Sequence, residues 1–433
     1  MKKKIVLIGA GSAQFGLGSV SDIFHSKILQ GSHIVLHDIN PDALKMVYEI
    51  SRKVMVSESL PFTISATTSR KDALKGADFY IISIEVGNRF DLWEQDWKVP
   101  LKYGNRQIYG ENGGPGGLFH SLRIIPPIIE ICRDVERYCP QAYGFNFSNP
   151  MSRICLAVKR RFPHLRFIGL CHEITSMPHH LPKILKIPFS ELAIKAAGLN
   201  HFTVLLEVKY RKSGKDAYPE LKRRAVKYFR SYRKGTERSL VLDVFKKFDC
   251  LPVSTDSHFG EYIQWAWEIA DHKGIKDFYS RYKKSCLAQY SRYLKILKGE
   301  SQETWWKEST GERITPIIEG ILTGSGYEEL AVNIPNKGLI ENLPEDLVVE
   351  VPAKVSRKGV VGVKIGLMPK GIVGLLNNQA TVQDLAVEAA LTGSRRIALQ
   401  ALLADPVVDS FRNAEKILDA MLRLQKKYLS YIK

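Results

Sequence analysis

Short apolar runs separated by longer amphipathic stretches dominate the first 170 residues of the chain. The apolar runs predict strands over residues 4–8, 34–38, 63–67, 79–84, 143–147 and 167–170. Helical periodicity between them predicts helices over 16–25, 71–75 and 118–138, and Asn40-Pro41-Asp42 opens a further one. The continuous apolar run 79–84 is typical of a parallel strand that is covered on both faces. Alternating strands and helices therefore predict an α/β fold built on a doubly wound parallel sheet.

The pattern changes after residue 193. A strand over 203–210, long helices over 221–233 and 277–297, a strand over 347–351 and a final helix from about 409 indicate a mixed α+β architecture. We expect a nucleotide-binding domain over 1–193 and a C-terminal domain over 194–433. The second domain should cover the ligand-binding crevice at the carboxyl ends of the parallel strands and carry an oligomer interface. The glycine-rich stretch 110–117 predicts a loop held close to another part of the molecule.

A glycine turn follows the first predicted strand and opens the first predicted helix. Gly9, Gly11 and Gly16, with Ser12 between them, let a pyrophosphate approach backbone N–H groups at the positive end of that helix. Asp38 ends the second strand, where a carboxylate accepts hydrogen bonds from the ribose hydroxyls of NAD and disfavours binding of the 2′-phosphate of NADP. The five residues predict an NAD site; the alternative is a glycine turn with a capping aspartate.

Composition narrows the class of protein. At 433 residues the chain is long enough for two domains, and no apolar run approaches the ~20 residues that a membrane span requires. We expect a cytoplasmic protein whose six cysteines are reduced, since they lack framework spacing. The formal charge of +18 is compatible with binding to nucleic acid, to a membrane surface or to anionic substrates. The densest basic stretch of the chain is 222–234. We interpret it as the solvated face of a helix, because no nucleic-acid-binding motif accompanies it.

Thiol and imidazole groups follow the later strands. Cys171 and His172 are neighbours, which face opposite ways on an extended strand, so a shared metal is better sought between Cys171 and His201. Such a pair leaves coordination positions open for substrate oxygens; the alternative for Cys171 is a buried thiol. Asp256 is the best-placed carboxylate of the second half for general-base chemistry, or else a helix N-cap.

Other histidines are less informative. We interpret His179 and His180, which lie between Pro178 and Pro182, as surface residues at a helix start. The role of His258, two residues after Asp256, stays open between ligand, orienting group and ordinary polar residue.

Several motifs in order resemble glycoside hydrolase family 4. They are residues 9–12, 114–117 followed by 122–123, 148–151, 171–173, 198–202 and 333–338. The resemblance implies a lactate/malate dehydrogenase-like Rossmann domain and net hydrolysis of a glycoside. NAD would oxidise the sugar at C3, a base would remove the C2 proton, the leaving group would be eliminated, water would add and the hydride would return. A divalent ion, usually manganese, would hold the C2 and C3 oxygens.

The resemblance also implies roles for individual residues. Cys171 and His201 match the metal ligands, Asn149 matches a residue that contacts the sugar hydroxyls, and Asp256 matches the C2 base. Glu111 matches an acidic position that tunes this base, and His172 occupies the place of the leaving-group acid.

Residues after Cys171 indicate the substrate class. His172 stands where phospho-glycosidase members carry Asn or Asp, which favours an unphosphorylated sugar. Cys-His-Glu resembles the α-galacturonidase-like branch, so an α-galacturonide, α-glucuronide or α-galactoside is expected; α-glucosidases of the family also carry Cys-His. The resemblance further implies homodimers or homotetramers.

Two other classes compete with this interpretation. A simple NAD-dependent sugar or hydroxy-acid dehydrogenase would share the nucleotide domain but release NADH and need no metal. A non-enzymatic nucleotide-sensing or polyanion-binding protein would use the basic stretch. We expect neither nucleic acid nor a membrane as partner.

Overall fold

The computed structural model describes residues 2–12, 16–231, 235–301, 306–307 and 309–433. Arg233 and Lys234, at the end of the predicted basic helix, lie outside these residues. Within the described ranges, none of the helices combines the length and the apolar character that crossing a bilayer demands.

Twelve strands are present in the described part of the chain. They are β1 (Lys4–Ile8), β2 (His33–His37), β3 (Thr63–Thr67), β4 (Phe79–Ile82), β5 (Tyr143–Asn146), β6 (Arg166–Gly169), β7 (Leu192–Leu199), β8 (Phe202–Tyr210), β9 (Leu251–Pro252), β10 (Tyr327–Pro335), β11 (Val348–Ser356) and β12 (Gly359–Gly362).

Helices cover the sheet and extend the second half. They are α1 (Gly16–Phe24), α2 (Pro41–Ser57), α3 (Arg70–Leu74), α4 (Arg89–Lys102), α5 (Gly114–Tyr138), α6 (Met151–Arg161), α7 (Ser176–Leu185), α8 (Tyr218–Arg230), α9 (Ser239–Phe248), α10 (Asp256–Phe259), α11 (Ala266–Ile269), α12 (His272–Lys298), α13 (Ile314–Thr323), α14 (Lys370–Thr392), α15 (Arg395–Ala404), α16 (Phe411–Leu424) and α17 (Lys426–Leu429). Short 3₁₀ turns lie at Glu173–Thr175, Phe189–Glu191 and Gly260–Tyr262.

The first half is a parallel sheet with the strand order β3-β2-β1-β4-β5-β6. This is the order of the dinucleotide-binding doubly wound fold. Side chains of β1 alternate between two hydrophobic cores: Ile5 and Leu7 lie in one, and Val6 and Ile8 in the other. The sheet is therefore buried on both faces, and the predicted fold class is confirmed.

Antiparallel strands of the second half continue the same sheet in the order β10-β11-β7-β8-β9, with β12 paired to β11. The junction is a row of four residues. Asn333 of β10 is paired with Gly169 of β6, Glu350 of β11 is opposite Asn333, and Gly198 of β7 is opposite Glu350. We call this row the seam. It joins the end of the parallel sheet to the hairpin formed by β7 and β8.

Three local predictions are corrected. The glycine-rich stretch is a loop only as far as Gly113, because helix α5 begins at Gly114 with Pro115 in its first turn, where proline is favourable. His180 is buried inside α7, which continues through Pro182, whereas His179 is exposed. Strand β6 ends at Gly169, so Cys171 and His172 follow it as predicted, but the extended-strand geometry used to separate their side chains does not apply to them.

A buried ion pair ties α5 to the C-terminal helices. Arg123 donates to Asp96 of α4 and to Gln425, and the side chains of Arg123 and Asp96 are 4% and 1% exposed. Arg123→Met would leave Asp96 as an uncompensated buried carboxylate, which costs about 3–5 kcal/mol. We expect a correspondingly large fall in the free energy of unfolding, measured with urea.

The matched control is Arg133→Met, which breaks the exposed pair with Glu130 and should change stability by less than about 1 kcal/mol. Equal losses in the free energy of unfolding for the two substitutions would contradict the larger contribution of the buried ion pair.

Candidate active site

A cavity of about 1430 Å³ opens at the carboxyl ends of the parallel strands. Segments that follow β1, β2, β4, β5 and β6 line it, together with the β7–β8 turn and part of α12. Pockets for one drug-sized ligand measure roughly 300–1,000 Å³. The volume suits a dinucleotide together with a second small molecule.

The glycine turn forms one wall of this cavity. Gly9 adopts a φ of +85°, and a Cβ there would lie 2.1 Å from the backbone oxygen of Ser83. The backbone N–H of Gly11 donates to Asp38 Oδ2 at 2.8 Å, and Gly11, Ser12 and Asp38 all line the cavity. Gly16 is the first residue of α1. The arrangement places the close-packed backbone of the glycine turn and the Asp38 carboxylate against the cavity, where NAD is predicted to bind.

Cys171 and His201 line the same cavity from two different strand ends. The Asn200 side chain and the backbone N–H of Glu173 hydrogen bond to the Cys171 sulfur; burial raises the pKa of this thiol well above its ordinary value, while both bonds lower it. His201 is the second residue of the two-residue β7–β8 turn, and its φ of +63° lies in the left-handed region. Burial holds the pKa of His201 well below its ordinary value, so the ring is neutral.

His201 Nδ1 is buried and has no hydrogen-bond partner among the described residues. Glu173, His201 and His258 each place one ligand atom within 4.8 Å of the others. A neutral imidazole with an unused nitrogen, a second imidazole, a carboxylate and a nearby sulfur form a donor set that suits a divalent transition ion. The residues present therefore fit a metal, and Cys171 with His201 stays our prediction for its ligands.

Glu173 and His258 are the residues of this cluster that the sequence did not assign to the metal. Glu173 follows the Cys-His pair, and its position in the motif indicates only the class of sugar. His258 lies in α10, whose position beside the β7–β8 turn depends on contacts distant in sequence; its ring centroid is 4.5 Å from that of His201. Its pKa is lowered by burial but raised on balance by the charges of Glu173, Glu111 and other carboxylates.

Glu111 and Asn149 lie next to each other in the wall of the cavity. Glu111 accepts a hydrogen bond from Arg89 at 2.9 Å, and its Oε2 lies 3.7 Å from His258 Nε2. Asn149 Nδ2 is 3.5 Å from Glu111 Oε1, whereas Asn149 Oδ1 is buried without a partner in the described structure. An unused amide oxygen and a carboxylate beside an imidazole can bind and deprotonate a polyhydroxylated ligand.

The structure does not bring Asp256 to this cavity. Its side chain is fully buried, Oδ2 accepts the backbone N–H groups of Leu240 and Asp271, and Oδ1 accepts that of Val241. Leu240 and Val241 are in the first turn of α9, so the carboxylate caps a helix that precedes it in the chain. Both oxygens are occupied by structural bonds.

His172 lies at the cavity edge. Its side chain is 57% exposed, and Nδ1 is 3.7 Å from Glu312 Oε1. Burial raises the pKa of Glu312, and the charge of His172 lowers it. An exposed imidazole beside a half-buried carboxyl group is a suitable place for a proton donor, which stays the predicted role of His172.

The fold and cavity define a dinucleotide-binding enzyme with an adjoining metal-ligating cluster. Family models for family 4 glycosyl hydrolases match residues 4–187, and for their C-terminal domain residues 196–408. The chain belongs to this family, and the predicted class, an NAD- and metal-dependent glycoside hydrolase, is confirmed.

Named relatives narrow the class to α-glycosidases. An α-glucosidase of Erwinia rhapontici is 49% identical, with 100% of both chains covered. An α-galacturonidase of Thermoanaerobacterium saccharolyticum is 29% identical, covering 98% of this chain and 96% of the relative. A solved 6-phospho-α-glucosidase from gut microorganisms, in complex with NAD and Mn²⁺, shares the fold with a TM-score of 0.85, 23% identity and 98% of each chain covered. The domain boundary, the oligomeric state and the cytoplasmic location stay predictions.

Glu261 supports the loop that carries Glu111. Its buried carboxylate accepts the backbone N–H groups of Glu111 and Asn112, and burial, then the charge of Glu111, raises its pKa to about 8. The folded protein therefore keeps a proton that the unfolded chain loses near its ordinary pKa of 4.5. Stability contributed by this group falls as pH rises between those two values.

Glu261→Gln should remove this fall. We expect the free energy of unfolding of the variant, relative to the wild type, to increase by at least about 1 kcal/mol between pH 5 and pH 8.5. Urea unfolding at several pH values measures it, with the exposed Glu130→Gln as control. Parallel stability curves for wild type and Glu261→Gln would contradict the raised pKa.

Proposed function

We propose that the protein is an NAD- and divalent-metal-dependent α-glycosidase that hydrolyses an unphosphorylated α-glucoside. The observation that carries this proposal is a single cavity that joins the Gly9–Asp38 nucleotide wall to the Cys171, Glu173, His201 and His258 cluster. Hydride transfer to a nicotinamide and polarisation of the sugar oxygens by a metal need the nucleotide site and the metal site side by side.

The charges of the cavity support a neutral sugar. Its arginines are paired with carboxylates: Arg70 with Asp134, Arg89 with Glu85 and Glu111, and Arg123 with Asp96. The lining lysine, Lys427, lies over the Tyr428 ring at 5.4 Å. Paired guanidinium groups attract an anionic substituent weakly, while the lining carboxylates Glu85, Glu111 and Glu173 repel it. A uronate or a sugar phosphate is therefore disfavoured.

Similarity to named relatives supports glucose as the sugar. Identity is 49% to the α-glucosidase and 29% to the α-galacturonidase. The Cys-His-Glu sequence predicted a uronide or galactoside. We prefer the glucoside because the identity to the α-glucosidase extends over the whole chain and the cavity charge agrees with it.

The mechanism assigns each task to a group on the chain. The Gly9–Ser12 turn and Asp38 would bind and orient the dinucleotide, and Cys171 and His201 would hold the metal. When bound, the nicotinamide would supply reversible hydride transfer, and the divalent ion would supply the Lewis acid that acidifies the C2 proton of the sugar.

Proton transfers then fall to side chains that reach the cavity. Asn149 positions the sugar hydroxyls through its unused Oδ1. We assign the C2 proton to the Glu111 carboxylate as its acceptor, in place of Asp256; Glu111 Oε2 lies 3.7 Å from His258 Nε2. His172, beside Glu312, donates the proton to the leaving oxygen.

Four p-nitrophenyl substrates test the proposed specificity: the α-glucoside, the α-galactoside, the α-galacturonide and the α-glucoside 6-phosphate, each with NAD, Mn²⁺ and a thiol reductant. We expect kcat/KM for the α-glucoside to be at least about tenfold higher than for the others, a difference of about 1.4 kcal/mol. Activity should be lost on removal of NAD, on chelation or on thiol oxidation, because the thiolate must be free to bind metal.

Absorbance of the reduced cofactor, followed in the same assay, separates hydrolysis from dehydrogenation. Net hydrolysis returns the hydride, so NADH should not accumulate. One NADH per product released would contradict the hydrolase and favour a dehydrogenase.

Glu111→Gln and Asp256→Asn test the assignment of the C2 base. Glu111→Gln should lower kcat by roughly 100-fold or more, because a positioned proton acceptor contributes 10²–10⁴-fold. Asp256→Asn should instead lower the free energy of unfolding by about 1–3 kcal/mol, because the NH₂ group of asparagine cannot accept the backbone N–H bond that the replaced carboxylate oxygen accepts. The kcat per folded molecule should change less than about fivefold. A large loss of kcat for Asp256→Asn with unchanged stability would restore Asp256 as the base.

A further inference from the structure

A buried carboxylate lies behind the metal-ligating cluster. Glu350, in the seam, is 1% exposed and has no ion-pair partner among the described residues. Both asparagine amides donate to its Oε2, Asn200 Nδ2 and Asn333 Nδ2 each at 2.9 Å, and the Thr203 hydroxyl lies 2.8 Å from its Oε1. Burial raises the pKa of Glu350, while its hydrogen bonds with Asn200, Asn333 and Thr203 lower it and so favour the ionised carboxylate. When ionised, a buried carboxylate without an ion-pair partner is normally balanced by a cation or a metal.

Two of the three donors flank His201. Asn200 precedes it, and Thr203 follows two residues later; the single hydroxyl proton of Thr203 is shared between Glu350 and the Leu199 backbone oxygen, which is 3.0 Å away. Between them His201 holds its left-handed φ of +63°, a conformation that a residue with a side chain keeps only when its surroundings impose it. Glu350 binds both sides of this turn and so fixes the direction of the imidazole.

The same carboxylate reaches the thiol through one amide. Asn200 hydrogen bonds to Glu350 and to the Cys171 sulfur. Glu350, Asn200 and Cys171 therefore form a chain from the seam to the cavity. Outer groups of this kind orient metal ligands, and their loss typically lowers metal affinity by about 10- to 100-fold.

We propose that Glu350 is a positioning residue for the metal: it holds Asn200, His201 and, through Asn200, Cys171 in ligating geometry, and its negative charge balances the cation from behind the ligands. The proposal rests on the proposed function, since it takes Cys171 and His201 as the metal ligands.

Glu350→Gln tests the charge while keeping the shape. The amide oxygen can accept from both asparagines, and Thr203 can accept from the amide N–H₂ because its own hydroxyl donates to Leu199. We expect folding and the thermal unfolding midpoint to be retained and NAD affinity, followed by protein fluorescence, to change less than about twofold. The dissociation constant for Mn²⁺ alone, measured from the EPR signal of the free ion, should rise about 10- to 100-fold.

Glu329→Gln is the matched control. Glu329 is a buried glutamate on β10 that is paired with Arg313. Its loss should lower the thermal midpoint and leave Mn²⁺ affinity unchanged, the reverse of the pattern for Glu350→Gln.

The outcomes are distinguishable. Wild-type protein that binds Mn²⁺, with Glu350→Gln binding it equally well, would overturn the role of Glu350 and leave the proposed function intact. Wild-type protein that binds no Mn²⁺, or binds it as tightly after Cys171→Ser, would overturn the proposed metal site and with it this inference.

Discussion

The seam is the constraint on which the rest of the structure depends. Gly169, Asn333, Glu350 and Gly198 form one row across four strands, and each link is a backbone pairing. Both ends of the row need glycine: a Cβ on Gly169 would lie 2.7 Å from Met151, and one on Gly198 would lie 2.4 Å from the Phe202 oxygen. Cys171 follows the first glycine by two residues and His201 follows the second by three, so the row brings the two side chains into one cavity.

The predicted nucleotide-binding turn lines the same cavity as these two predicted ligands. Segments after β1, β2, β5 and β6 supply Gly11, Asp38, Asn149 and Cys171. Carboxyl ends of parallel strands share one edge of a sheet, where ligands of such folds bind. The seam adds an antiparallel hairpin to that edge. The result combines a cavity at a dinucleotide-binding edge with donor atoms from the second half of the chain, as an NAD- and metal-dependent hydrolase requires.

The parallel half of the fold was predictable because its signals are local. Strands β1 to β6 are short apolar runs, and Asp38 and Asn149 stand where such strands end. The seam was not predictable, because Gly169 pairs with Asn333 and Glu350 with Gly198 across more than 150 residues of chain. The clustering of His258 and Glu173 with His201 depends on that pairing. The sequence alone therefore leaves the role of His258 open and connects Glu173 only with the class of sugar.

Asp256 illustrates a limit of motif interpretation. An aspartate before a short helix fits a general base and a cap equally well. The cap that it forms is with α9, whose N–H groups precede it by 15 or 16 residues, so local spacing could not reveal it. His180 is similar: the flanking prolines favour a surface turn, yet α7 continues and buries the ring, where it bonds to Tyr228.

Hydrolysis in D₂O tests the central claim most directly, namely that the cavity cleaves the glycoside through loss of the C2 proton. Mass spectrometry and NMR of the released glucose, after turnover with NAD and Mn²⁺, report the isotope at C2. The account predicts solvent deuterium at C2 in the product. Product that keeps its original hydrogen at C2, formed at the full rate, would contradict it.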